Sequence, residues 1–335
     1  VVALGAFALD RHSPSTQPAA VRVAPAVKAE RTVPLPHLLL WTIGLAGSLG
    51  VGYQIAWTRL LVPVVGSSVY AFTIILTTVL LGIGVGALLA ALPRSRDASY
   101  HRVVGLAMGL GACSSVAGLF AVNRLPDMFA ALAQWGGDTT WLLFLCQGLL
   151  TACVLFVPAC SLGAALPLGI AGWRSAAGST GWAVGGMYAV NTLGAIAGSL
   201  LAGFVLLPLM GATQLVVAGA ALGVVSAVAL LLSQPNTQPS TAWGQAGALV
   251  ALFAVSVVTV PDTDIARLQR GVFRGIQAGS VSSESKTTLL YAEEGTSATV
   301  TIFRTPNSTV LKVNGKADAS TGGDMDTQYL IAHMP

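Results

Sequence analysis

Between Asp138 and Asp262 the chain carries a single charged side chain, Arg174. A water-facing domain shows roughly one charged residue in four, so a stretch of this length with one charge is made for hydrocarbon. Charge is scarce throughout: 9% of the 335 residues are charged and 54% are hydrophobic, with a mean hydropathy of +0.75. It is also displaced to one end, because 15 of the charged residues lie at or after Asp262. The chain therefore divides into a membrane block of net charge +5 and a polar tail of net charge −1. A tail with that balance has no electrostatic footprint for nucleic acid.

Apolar runs occur at His37–Leu61, Val69–Leu92, Val103–Val122, Thr140–Ala159, Ala183–Leu207, Ala212–Leu232 and Trp243–Val260. Each approaches or exceeds the roughly twenty residues a helix needs to cross the bilayer core. This predicts a mostly α-helical, seven-span domain over 37–260. The region from Trp141 to Trp173 is long for one helix and short for two, and it contains Pro158 and Pro167. A broken or re-entrant segment there, raising the crossings to eight, is the alternative. Ahead of the block, VVALGAFAL is too short to span and reads as the cut end of an earlier transmembrane helix (1–10). Residues 11–36, rich in Pro, Ala and charge, read as a linker.

Small residues one turn apart at Gly105/Gly109, Gly181/Gly185 and Gly194/Gly198 predict close helix–helix packing. GIGVG at 82–86 sits inside a span, without the strand that a dinucleotide loop requires. Cys146, Cys153 and Cys160 repeat every seven residues along one helix face. No His or carboxylate accompanies them, so they read as packing residues and no metal site is expected. Gln54, Arg59 and Asn191, with Tyr53 and Gln147, are the intramembrane polar candidates. Such groups serve either function or interhelical hydrogen bonding, and Arg59, near a span end, can snorkel. Eight Lys/Arg (Arg11, Arg22, Lys28, Arg31, Arg94, Arg96, Arg102, Arg174) fall on the linker's side of seven alternating spans. That bias points the linker to the cytoplasm and the tail away from it; an even crossing count reverses the tail.

After a juxtamembrane linker (261–287), TLLYAEEG, TSATVTIFRT and STVLKVNGK alternate as strands, with a turn at Pro306–Ser308. DMDTQYLIAHMP then predicts a helix opened by Asp324 or the glycines before it.

GTSATVTIF followed by LKVNGKADASTGGDMDTQYLIAHMP resembles the N-terminal β-region and first helix of spermidine synthase-like proteins, the polyamine aminopropyltransferases. GYQIAWTRLLVPVVGSSVYAF (52–72), SLGAALPL (161–168) and MYAVNTLGAIAGSLLAGFVLLPLMG (187–211) resemble the integral-membrane domain fused ahead of such domains in bacteria. The resemblance implies that 288–335 begins an α/β synthase-like domain. The protein would be a multi-pass one of the inner (plasma) membrane, with its synthase-like tail in the cytoplasm. It would contact lipid and transfer an aminopropyl group from decarboxylated S-adenosylmethionine, a co-substrate, to putrescine or a related amine. Asp318, Asp324, Thr327 and Gln328 align with or lie beside the family's substrate-facing positions. Asp318 stands where soluble members carry Gln, and Thr327, Gln328 and Tyr329 stand for their Tyr-His-Glu. The family's glycine-rich turn and catalytic base lie beyond this helix. The 335 residues alone are accordingly expected to be inactive, with no catalytic residue of their own. The rival expectation is a transporter of polyamines or related cations with a sensing or producing tail.

Overall fold

The computed structural model describes residues 36–92, 99–136, 139–174, 177, 179–234, 238–271 and 287–334. The expected N-terminal remnant, nearly all of the 11–36 linker and most of the juxtamembrane linker lie outside the described residues. The body from Val33 onward is one compact unit. Its helices are α1 (Pro36–Val65), α2 (Val69–Ala91), α3 (Tyr100–Val122), α4 (Leu125–Gly136), α5 (Thr140–Trp173), α6 (Thr180–Leu200), α7 (Leu207–Leu232), α8 (Pro239–Thr259) and the single turn α9 (Ile265–Leu268). Strands β1 (Thr288–Glu294), β2 (Thr299–Arg304), β3 (Thr309–Val313) and β4 (Lys316–Ser320) follow, then α10 (Met325–His333).

Six helical runs among the described residues are long and apolar enough to cross a membrane. One of them, Thr180–Leu232, is 53 residues long, roughly 80 Å if straight and far more than the roughly 30 Å core. It is not straight. Pro208 offers no N–H to the carbonyl one turn back, and the run widens into a π-helical turn over Leu201–Leu206 just before it. Gly211 then leaves helical geometry altogether, with φ 78° and ψ 168°, a conformation costly for any residue with a Cβ. The chain doubles back here. Gly44, Ser48 and Gly52 of α1 meet Gly194 and Gly198 of α6 and Ala202 of the π-helical turn in rising order, whereas Leu49 and Tyr53 meet Gly223 and Gly219 of α7 in falling order. Helix α6 thus runs with α1 and α7 against it, so the Thr180–Leu232 run folds into two antiparallel limbs.

Helix α5 is continuous through both prolines, so the alternative of a broken or re-entrant segment at 141–173 is not realised. Each proline costs a helix about 3 kcal/mol. Dense packing on both flanks offsets that cost. A Cβ on Gly86 of α2 would stand 1.9 Å from the Cys160 carbonyl, and one on Gly163 2.5 Å from the Ile83 backbone. On the other flank, Gly111 and Gly118 of α3 lie against Ser161 and Val154. Trp57, wholly buried, fills the space over Gly118.

The four strands form an antiparallel meander in chain order. The Pro306–Ser308 turn joins β2 to β3, and Asn314–Gly315, both at positive φ (50° and 78°), joins β3 to β4. Two residues of that conformation are the turn that suits hairpin twist. Strand β4, KADAS, was not expected, because Lys, Ala and Asp are poor strand formers; pairing of Val310–Val313 with Lys316–Ser320 holds it.

The three small-residue pairs differ in use. Gly194 and Gly105 lie against neighbouring backbone, whereas Gly181 and Gly185 meet nothing within 4 Å. A Cβ at Gly194 would stand 1.8 Å from the Gly44 carbonyl oxygen. Gly194→Ala should therefore destabilise by about 1–3 kcal/mol, the usual cost of overpacking. Gly181→Ala should be neutral. Thermal unfolding in detergent, followed by circular dichroism, checks both.

Candidate functional site

The sheet is docked on the end of the bundle by the tips of its two outer hairpins. Arg59, in the penultimate turn of α1, donates from Nη2 to the carbonyls of Gly295 (3.3 Å) and Thr296 in the β1–β2 turn. The Glu294 carboxylate beside it accepts from Ala212 N at 2.7 Å. Ala212 opens the returning limb of α7, so the carboxylate occupies the positive end of a helix whose first amides lack partners. The β3–β4 tip rests on α1, where Gly315 packs against Pro63 closely enough that a Cβ would come within 3.2 Å. Lys312 donates to the Arg270 carbonyl at 2.8 Å and covers the Phe303 ring at 5.1 Å. Burial lowers its pKa. The segment leaving α8 is stitched to the α3–α4 corner. Asn123 donates to the Asp262 carbonyl (2.7 Å) and accepts from Asp264 N (2.9 Å), and Arg267 pairs with Asp127.

Strand register places the β1–β2 turn and Asn314–Gly315 at the docked end and Thr305–Ser308 and Ser320 at the far end. The five residues of β4 separate the two by about 16 Å. Of the carboxylates expected to face substrate, Asp324 lies at the far end, whereas Asp318 is exposed midway along β4, where Lys316 Nζ lies 3.0 Å from its Oδ1. Asp324 occupies the position before α10, yet its side chain does not cap the helix. It accepts from the Ser320 hydroxyl at one oxygen and from Gln328 Nε2 at the other, 2.6 Å. Gln328 also donates to the Ser320 carbonyl at 3.1 Å. These bonds, the Ser320 one foremost, hold the Asp324 carboxyl below its ordinary pKa. Thr327 is exposed on α10 and is not drawn into this cluster.

The membrane candidates separate as well. Asn191 packs its backbone against Gly47, the Gln54 carbonyl accepts from Thr58 at 2.6 Å, and only Arg59 reaches the sheet. Glu294 and the Gly211 reversal were not anticipated. A single Glu in a strand shows no periodic signal, and Gly211 is one glycine among 38. Between α1 and α6 an apolar groove of about 640 Å³ is lined by His37, Trp41, Gly44, Ser48, Val190 and Gly194, among others. It shares no residue with either polar cluster. Among the described residues no group of three His, Cys, Asp or Glu could hold a metal.

No protein-family model, no curated protein and no solved structure matches this chain.

Two outcomes follow from the geometry. Glu294→Gln should loosen the sheet, since hydrogen bonds to charged groups contribute about 1.5–3 kcal/mol. Amide hydrogen exchange in the β1–β2 turn should accelerate by about tenfold or more. For Asp324 the carboxylate is the form favoured by folding. Its contribution is present above the ordinary carboxyl pKa and is lost as pH falls through the lowered folded value. NMR titration of Ser320→Ala should show the Asp324 carboxyl returning towards its ordinary value, and the start of α10 fraying at higher pH than in the parent.

Proposed function

We propose that this chain is the membrane-anchored, amine-facing part of an aminopropyltransferase. In this reading the bundle holds at its surface the sheet and helix that receive putrescine or a related amine. Decarboxylated S-adenosylmethionine donates the aminopropyl group: the amine nitrogen attacks the carbon next to the sulfonium, the carbon–sulfur bond breaks, and the sulfur leaves as a thioether. The amine proton passes to a base.

The observation that supports this most is a pair of carboxylates on the last strand and the helix after it: Asp324, bonded to Gln328 at the undocked end of the sheet, and Asp318, exposed midway along β4. A diamine is a dication at neutral pH, and carboxylates bind ammonium groups through charge-assisted hydrogen bonds. Asp318 is held by an exposed partner, Lys316. Exposed pairs contribute only about 0–1 kcal/mol, so a substrate ammonium can displace that lysine. Asp324, held ionised, sets the second charge. A cation-transport reading has less support, because no acidic side chain lies within the described spanning helices.

In this reading seven passes put the start of α1 and the sheet on opposite faces. The transferase reading needs the sheet in the cytoplasm, with its co-substrate. Membrane-flanking Lys/Arg number eight on the linker side against five on the sheet side (Arg59, Arg124, Arg267, Arg270, Arg274), so charge leans the other way. Sidedness is therefore a direct test. An Asp326→Cys variant should react with a membrane-impermeant maleimide in inside-out vesicles only. Labelling from the outer face would sink the reading. The chemical test is transfer of labelled aminopropyl to putrescine by membranes carrying the intact gene product. Asp318→Asn should raise the KM for amine on the order of tenfold, with kcat less affected. No transfer by correctly folded protein would equally exclude the activity.

A further inference from the structure

Among the buried polar atoms of the bundle that lack a hydrogen-bond partner among the described residues are Trp57 Nε1 on α1 and Gln147 Oε1 and Ser161 Oγ on α5, and the Tyr53 hydroxyl of α1 has the Ser115 side chain as its polar neighbour. None of the four residues is more than 5% exposed. They follow one seam, where α1, α3 and α5 meet. Ser161 packs on Gly111, and the Gly111 carbonyl accepts from Ser115 at 2.8 Å. The Ser115 side chain is in turn the polar neighbour of the Tyr53 hydroxyl. One turn on, the Trp57 ring lies over Gly118 beside Val154. Two turns further along α5, Gln147 donates from Nε2 to the Val65 carbonyl at 2.7 Å, leaving its own oxygen idle. From Ser161 to Gln147 the seam covers about 21 Å, most of the roughly 30 Å hydrocarbon core.

An unpaired buried polar group costs about 1–3 kcal/mol, and lipid cannot relieve it. Native structures pair nearly all such atoms, with protein or with water. The atom types select the occupant. The indole N–H only donates, the Gln147 oxygen only accepts, and the two hydroxyls do either. A protonated amine or a metal cation offers no acceptor and would leave Trp57 unpaired. An anion would leave Gln147 unpaired. Water serves both. We propose that the α1–α3–α5 seam encloses a file of ordered water, closed beneath the sheet by the Gln147–Val65 hydrogen bond. The file ends next to Pro63, on which the β3–β4 tip rests. By this assignment the bundle interior is hydrated without being a cation path.

Hydroxyl-radical footprinting with millisecond X-ray exposure, on the intact chain in lipid nanodiscs, tests this, because radicals formed from bound water modify the side chains beside it. After correction for intrinsic reactivity, Trp57 and Tyr53 should be modified several-fold faster than Phe129, an equally buried aromatic residue of α4. The double variant Tyr53→Phe, Gln147→Leu should lower Trp57 modification several-fold. Trp57 and Tyr53 reacting no faster than Phe129 in the parent chain would overturn the proposal, and that comparison needs no variant to fold.

Discussion

Hydrocarbon offers no partner to a peptide N–H or C=O, and the architecture from Pro36 to Val260 follows from that constraint. Every spanning segment has to close its own backbone hydrogen bonds, so each is a helix. Association between helices then cannot rely on expelling water; it relies on close contact. Gly44 against Gly194, Gly86 against Cys160 and Gly163 against Ile83 bring backbones together where any side chain would intrude. The same constraint lets α5 keep two prolines: flanked on both sides, it has nowhere to bend.

Among the described residues of the spanning runs, helical geometry is broken at the Gly211 reversal, and the sheet is attached there. Breaking the helix frees amide groups at the start of the returning limb. Glu294 supplies the carboxylate that accepts from one of them, while Arg59 reaches out of α1 to the adjacent turn. Membrane bundle and polar tail are thus one body, joined through backbone groups exposed by the ends of helices. The consequence for function is positional. Docking by the hairpin tips leaves the opposite end of the sheet, with Asp324 and Gln328, away from the bundle, and Asp318 midway along the last strand.

Much of this was legible beforehand. Seven apolar runs, the strand alternation of TSATVTIF and the Asn314–Gly315 turn carry their structure in short-range pattern. Others did not show. KADAS is a strand because β3 pairs with it, against its own propensity. Gly181 and Gly185 have the packing spacing but face open space, since spacing names a helix face and not its neighbour. Arg59 has the position of a snorkelling residue, and only the docked sheet reveals what its guanidinium holds. Asp324 stands where a helix cap belongs, yet Ser320 and Gln328 claim its carboxylate.

Sequence by itself determined what the solvent of each segment has to be, because hydropathy and charge are properties of residues and need no partner. It therefore determined the membrane block, the polar tail and the boundary between them. Tertiary structure decided which groups meet: that 180–232 turns back on itself, that α5 runs unbroken, that Glu294 finds Ala212. Those outcomes rest on contacts between distant positions, some of them 236 residues apart or more, as for Arg59 and Gly295, and no local pattern records a partner at that distance.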